Sequence, residues 1–407
     1  MPLSNLPARL LAGLGSVETL ALAVSGGGDS MAMLHLAVAA GLRPAVVTVD
    51  HGLRAEAMAE AAMVGQVCAG YGLRHEILRW QGWDHTGNLQ NEARKARRKL
   101  IADWALGQGI SSIALAHTRD DMAETFLMRL ARGAGVDGLA AMTTIWAEGG
   151  VTWVRPMLNM TRAELRAWLT GQHLTWVEDP SNENLVFDRI KMRKAMPALG
   201  KLGLDAARLS DVAQNLAEAR VALDALADDW VDRALTEQAG TMLIHADLWR
   251  APAETQRRLL QRVVLWVAPA AYGPRGTQLG QLMQSLAAGK PATLAGCRFL
   301  TSPNGQRAVR EARAAAPRTS GNVWDGRWRI IGGLPDGAEV GALGVEGLAQ
   351  APDWRAAGLP RAVLLTSPAV WLQDRLIAAP LAGFQSSTYS AVPLHPWLGR
   401  NTNTLSH

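Results

Sequence analysis

Between residues 19 and 132 short apolar runs alternate with longer stretches of helical spacing, and this rhythm constrains the fold more than any other feature of the chain. Residues 19 to 25 form an apolar run that stops at three glycines; from 30 to 40, Met31, Leu34 and Val38 recur at helical spacing before Gly41. The alternation continues with Ala45 to Val49 as strand, 55 to 70 as helix and Glu76 to Trp80 as strand. A helix over 88 to 106, strand Ser112 to Ala116 and a helix over 119 to 132 follow. Strands alternating with helices of this length predict an α/β fold, a parallel sheet with helices on both faces. In such a sheet the residues after the strand carboxyl ends gather along one edge, where ligands bind.

After Gly133 the rhythm loosens, and Arg155-Pro156 and Asp179-Pro180 mark turns or irregular segments. Thr161 followed by Glu164 predicts a capping box opening a helix over 161 to 171. The first domain is expected to span 1–205. From 205 to 265 proline and glycine are scarce and Leu209, Val212, Leu216, Leu223 and Leu226 keep helical register, so 206–315 reads as a helical domain. Past about 320, short runs such as Val323 to Ile331 and Ala362 to Leu365 stand between Gly and Pro, and 316–407 reads as a small, mixed, strand-rich region.

A chain of 407 residues is long enough for two or three domains. Its two cysteines, Cys68 and Cys297, form no CxxC pair and no disulfide framework, which points to a reducing compartment. No run of about 18 apolar residues is present, so a soluble cytoplasmic protein with no membrane partner is expected.

The chemistry is concentrated after the expected strands. Ser25-Gly26-Gly27-Gly28-Asp29-Ser30 lies between a strand and a helix. Glycines remove Cβ atoms so that successive backbone N–H groups close around a phosphate, and the helix N-terminus adds positive charge. No lysine follows, as a Walker A loop requires, and Met31 breaks a GxGxxG pattern. Asp29 would repel a phosphate unless a cation stood between them, which implies Mg²⁺. A flexible glycine turn is the plainer alternative. Val49-Asp50-His51-Gly52-Leu53-Arg54 follows the next strand and reads equally well as a solvated loop.

A third cluster is His117-Thr118-Arg119-Asp120-Asp121-Met122-Ala123-Glu124. Asp121 and Glu124 are three apart, so both carboxylates project from one face of a first helical turn. Acidic residues there also suit the helix dipole without any catalytic role. Two basic runs complete the set. Arg94 and Arg97 share a helical face and have the fork geometry for phosphate, whereas Lys95 and Arg98 fit a solvated face. Arg189, Lys191, Arg193 and Lys194 suit either a polyanion or solvent.

Taken together, SGGGDS, VDHGLR, HTRDDMAET and EDPSN with its DRIKMR continuation resemble the tRNA(Ile)-lysidine synthetases, within the PP-loop ATP pyrophosphatases. SGGxDS alone indicates only the larger group; the order and spacing of the other motifs narrow it. The resemblance covers residues 18 to 205 firmly and the rest in outline. It implies that ATP adenylates the C2 carbonyl oxygen of the wobble cytidine in a tRNA(Ile) with a CAU anticodon, releasing pyrophosphate. Free L-lysine then attacks C2 and expels AMP. It further implies that Ser25 through Ser30 hold the ATP phosphates with Arg97, that Asp29 and Asp121 bind Mg²⁺, and that Asp29, Asp121 and Glu124 lie near the lysine. His117 matches the family histidine beside the ATP site, and the 189 to 194 run would contact tRNA. Two positions depart from the pattern: Arg98 stands where an aromatic residue usually follows the second arginine, and Ile190 replaces the asparagine often found after Asp-Arg.

A tRNA thiolase of the same fold is the nearest rival, and such enzymes commonly carry paired cysteines, which this chain lacks. A non-catalytic RNA-binding protein retaining an ATP loop would need none of the three carboxylates. The net charge of +5 conceals an asymmetry: nine acids against three arginines over 211 to 254, then ten cations against Glu311 over 255 to 318. A tRNA-binding face is expected in the second window.

Overall fold

The computed structural model describes residues 5–50, 52, 57–80, 89–178, 186, 188–270, 273–302 and 305–397. It divides into two compact units, one up to Arg220 and one from Val221.

The first unit opens with α1 (Leu6–Leu14), β1 (Leu20–Ala23), α2 (Gly28–Ala39), β2 (Ala45–Asp50), α3 (Ala57–Gly70) and β3 (His75–Arg79). It continues through α4 (Leu89–Gly107), β4 (Ser112–Leu115), α5 (Arg119–Leu130), α6 (Val136–Leu139), β5 (Ile145–Glu148), β6 (Val151–Val154), α7 (Arg162–Gly171) and α8 (Asp188–Lys201). The first turns of α9 (Ala206–Ala234) close it. Six strands form one sheet in the order β3-β2-β1-β4-β6-β5, parallel except for the antiparallel edge strand β5. The chain reverses from β5 to β6 through Gly149 and Gly150, both at positive φ, in the two-glycine turn that a hairpin favours.

β1 is buried on both faces, which explains its unbroken apolar run. Leu22 packs with Leu6 and Leu10 of α1, Met31 and Leu34 of α2, Val64 of α3 and Leu165 of α7. Ala21 faces the opposite layer, where Ile101 and Ala105 of α4 meet Ile113, Trp146 and Trp153. The helices therefore cover both sheet faces, as expected. Strand order reverses between β1 and β4, so the loops after these two strands open into one crevice.

The second unit sets β7 (Leu235–Gln238), β8 (Thr241–Ile244), β9 (Ala292–Leu294), β10 (Cys297–Ser302) and β11 (Gly305–Arg310) into an antiparallel sheet ordered β7-β8-β11-β10-β9. Its core joins α9, α10 (Ala253–Val267) and α11 (Gly276–Ala287) through Val231, Leu259, Val263, Leu279 and Phe299. The segment read as helical thus carries five strands as well. They are too short, three to six residues each, to register against the longer helical periodicities beside them.

Beyond it, β12 (Val323–Trp324), β13 (Trp328–Ile331), β14 (Glu339–Ala342), β15 (Pro368–Leu372), β16 (Arg375–Ala378) and β17 (Ser390–Pro393) make two three-stranded sheets, with helices α12 (Gly344–Gln350) and α13 (Arg361–Leu364). The run Ala362 to Leu365, which its composition predicts to be extended, is instead mostly α13. Pro360 supplies its N-cap, and Val363 and Leu364 are buried. Four apolar residues carry no periodicity that separates strand from helical turn.

The basic window of this unit is also not the free face expected. Arg257 and Arg258 pair with Glu254, Arg258 and Arg262 with Asp224, and Arg262 with Asp228. Arg310 pairs with Asp325 and Arg313 with Glu311. Arg307 is buried against Thr241 and Gln238. Among the described residues, half of the window's ten cations are thus ion-paired, three of them to acids of the preceding acidic segment.

Candidate active site

The first turns of three helices meet at the carboxyl edge of the sheet. After β1 the chain runs through Ser25 and Gly26, whose φ of 90° is left-handed, to Gly27, the N-cap of α2. No side chain caps this helix, so its leading N–H groups face the crevice. The Ser30 hydroxyl closes the loop by donating to the Gly27 carbonyl at 2.9 Å and accepting from the Ser25 N–H at 3.1 Å. Val177 lies alongside and donates its N–H to the Gly26 carbonyl at 3.0 Å. A Cβ on Gly28 would stand 3.2 Å from Trp176 Cδ1, so the third glycine serves close packing.

Beyond β4, Thr118 caps α5 in a reciprocal box with Asp121. The Thr118 N–H and hydroxyl both donate to Asp121 Oδ2 at 2.8 Å. One oxygen of Asp121 is thereby committed to the cap, and Oδ1 is left for the site. The predicted box of Thr161 and Glu164 opens α7 in the same way. Between its members stands Arg162, whose N–H donates to Asp120 Oδ2 at 2.8 Å and so ties α7 to α5.

The Arg162 side chain gathers the three expected carboxylates. Its Nε donates to Asp29 Oδ2 at 3.1 Å, its Nη2 to Asp121 Oδ1 at 2.6 Å, and its Nη1 to Glu124 Oε1 at 2.5 Å. Glu124, 1 % exposed, also pairs with Arg189 at 3.2 Å and Arg193 at 2.8 Å. Three carboxylates thus face three guanidiniums. Burial lifts Asp29 above the ordinary aspartate value, against the pull of Arg162 and with the push of Asp121. At Asp121 burial acts in the same direction, but the Arg162 and Arg189 guanidiniums outweigh it and hold the carboxyl below the usual range. His117 is half-buried, but its Nδ1 is buried and has no hydrogen-bond partner among the described residues; desolvation pushes the imidazole far below its usual range, so it is neutral at pH 7.

The structure therefore brings Asp29, Asp121 and Glu124 together beside the loop from Ser25 to Ser30. Arg97 lies on α4 with its side chain exposed, outside this set of contacts. The four cations of α8 separate by face: Arg189 and Arg193 reach Glu124, whereas Lys191, paired with Asp188, and Lys194 are exposed. Asp50 ends β2, accepting from the Gly52 N–H at 2.9 Å; His51, Leu53, Arg54 and the EDPSN motif from Asp179 on lie outside the described residues.

The sequence reading missed Arg162. Its signal was positional: a cation at the first position of a helix opposes the macrodipole and needs carboxylates to hold it there. A cleft of about 300 Å³ opens beside it, lined among others by Asp120, Glu124, Arg162, Arg193, Met196 and Asp205.

The hard oxygen donors of Asp29 and Asp121 suit Mg²⁺. Among the described residues no three side chains of His, Cys, Asp or Glu are grouped to hold a metal ion. Cys68 and Cys297 are each buried, with thiols pushed up by burial to about 11 and about 12, so neither has the character of a reactive thiolate. No described helix is long and apolar enough to cross a membrane.

Residues 8–199 match the PP-loop domain family. The chain is 45% identical over 376 residues to the tRNA(Ile)-lysidine synthase of Ruegeria pomeroyi, covering 89% of this chain and 88% of that protein. It is 39% identical over 302 residues to the tRNA(Ile)-lysidine synthase of Bradyrhizobium diazoefficiens, covering 70% of this chain and 83% of that one. With an ATP-type glycine loop, a carboxylate cluster at the sheet edge and this extent of shared sequence, the chain belongs to the tRNA(Ile)-lysidine synthase family of PP-loop ligases.

Proposed function

We propose that this protein converts the wobble cytidine of a tRNA(Ile) with a CAU anticodon to lysidine, using ATP and free L-lysine. The observation that carries the reading is the convergence of Asp29, Asp121 and Glu124 beside an uncapped, glycine-opened helix N-terminus. The loop from Ser25 through Ser30, with Gly26, Gly27 and Gly28, is suited to the ATP phosphates, and Arg97 of α4 is assigned to them as well. Asp29 and Asp121 hold Mg²⁺ with the nucleotide, where the ion supplies charge neutralisation as negative charge builds on the α-phosphate.

Cytosine O2 is a poor leaving group until it carries AMP. The lysine side-chain amine, with a free pKa of about 10.4, arrives protonated. Asp29, Asp121 and Glu124 form the cluster that attracts its ammonium, and a proton must leave before nitrogen attacks C2. Neutral His117 orients groups beside the nucleotide without adding charge. The exposed face of α8 with Lys191 and Lys194 is assigned to tRNA phosphates, with Arg189 and Arg193 at the junction between RNA and carboxylates. Farther along the chain, Arg275, Lys290 and Arg298 are exposed and make no ion pair among the described residues, and they are among the cations of residues 206–315 suited to RNA.

The test is direct. Purified protein with ATP, Mg²⁺, labelled lysine and an isoleucine tRNA carrying CAU should place label at the wobble position and release pyrophosphate. No incorporation with a competent transcript sinks the reading.

A further inference from the structure

Arg162 is an unusual residue to find where it is. The cations that the adenylation and ligation chemistry brings to the carboxylates are the ammonium of lysine and the metal ion, not a side chain of the protein, and the helix dipole disfavours an arginine at the first position of α7. Yet its side chain is only 14% exposed and donates four hydrogen bonds to three acids, Asp29, Asp121 and Glu124. With Arg189 and Arg193 also on Glu124, three negative charges are matched by three positive ones before any ligand arrives.

We propose that Arg162 is the resident counter-cation of the catalytic carboxylates, so that a divalent cation enters this site only together with a polyphosphate. The proposal rests on the assignment of Asp29 and Asp121 to the metal. Adding two positive charges to an already neutral, largely buried cluster is costly, because desolvated like charges repel strongly. A nucleotide triphosphate brings the missing negative charge with the ion. Arg162 is a positioning residue in this scheme: it holds the three carboxylates together against their mutual repulsion and gives them up on loading. Its backbone is pinned to Asp120, so the side chain does the moving. The cleft of about 300 Å³ beside it offers room, and Asp120 and Asp205 line that cleft as alternative partners.

The experiment is Mn²⁺ binding to the full-length protein, followed by the electron paramagnetic resonance signal of free Mn²⁺, without nucleotide, tRNA or lysine. Wild type and Arg162→Lys should bind weakly, whereas Arg162→Met should gain one site at least tenfold tighter, which a further Asp29→Asn change removes. Arg162→Met binding no more tightly than wild type overturns the proposal. If Arg162→Met does not fold, the wild type alone still decides: a tight Mn²⁺ site without nucleotide that Asp29→Asn abolishes overturns it, and weak binding that a non-hydrolysable ATP analogue raises at least tenfold on the protein supports it. The assay uses neither tRNA nor lysine, so its failure leaves the lysidine reading standing, and failure of lysine incorporation sinks that reading without altering the binding result.

Discussion

Asp121 divides its two oxygens between the cap of α5 and Arg162 at the proposed site, so substitutions at this position separate the two. Oδ2 accepts from both the N–H and the hydroxyl of Thr118, and Oδ1 accepts from Arg162. In Asp121→Asn the amide oxygen can take over the cap while the amide nitrogen faces the donors of Arg162. The loss is one charge-assisted hydrogen bond, about 2 kcal/mol. Asp121→Ala loses the cap as well, about 1 kcal/mol more. At roughly 2–4 °C per kcal/mol for a unit of this size, melting should fall by about 4–8 °C for Asn and about 6–12 °C for Ala. Turnover should fall by about 10²–10³-fold in both, the range expected when a preorganised electrostatic group is lost. Affinity for tRNA in a gel shift should stay within a few fold. Equal destabilisation by Asn and Ala refutes the division of the two oxygens. A large loss of tRNA affinity with turnover of the bound complex intact refutes the catalytic assignment.

Other consequences can be measured separately. Glu164 is held down to about 2 because, although its partial burial raises it, the hydrogen bonds from Arg9 and Thr161 prevail. A depressed carboxyl stabilises the fold above its unfolded value of about 4.5 and loses that contribution as pH falls towards 2. Denaturant titrations over that window should therefore show a shallower acid slope in Glu164→Gln; an unchanged slope rejects the assignment. Lys191→Glu and Lys194→Glu should each weaken tRNA binding and reduce the slope of log affinity against log salt by roughly 1, with ATP binding unmoved. Equal effects on ATP and tRNA count against that face. In the second unit, Asp224→Ala removes a partner shared by Arg258 and Arg262 and should cost about 1–3 kcal/mol by urea denaturation. Asp224→Ala combined with Arg258→Met should recover part of that loss, and strict additivity argues against coupling.

Much of the first unit was legible because its signals are local. The strand-helix alternation, the glycine loop and the Thr161 box each announce themselves within a few residues, and Asp121 and Glu124 are brought together by helical spacing alone. Asp29 joins them only through the sheet order that sets β1 beside β4. Arg162 was hidden because its partners lie 133, 41 and 38 residues away in sequence. The β7–β8 hairpin escaped notice because its turn uses Ala239 at positive φ before Gly240, a pairing weaker as a signal than Asn-Gly. The opposed charges of 211 to 254 and 255 to 318 were visible, but their meaning was not. Helical faces turned towards each other convert a sequence asymmetry into internal ion pairs such as Arg262 with Asp228.

The meeting of α2, α5 and α7 at one guanidinium has a consequence that concerns the peptide chain itself. Each helix directs its N-terminal end at the crevice, and each such end is equivalent to about half a positive charge, so the backbone contributes roughly one and a half charges there. This part of the field is built into the fold: no rotamer change withdraws it and no single side-chain substitution deletes it. The carboxylates consequently sit in a potential that favours anions even when their arginine partners are elsewhere. Polyphosphate attraction is thus a property of the scaffold, which substitution of the carboxylates and their arginines leaves in place.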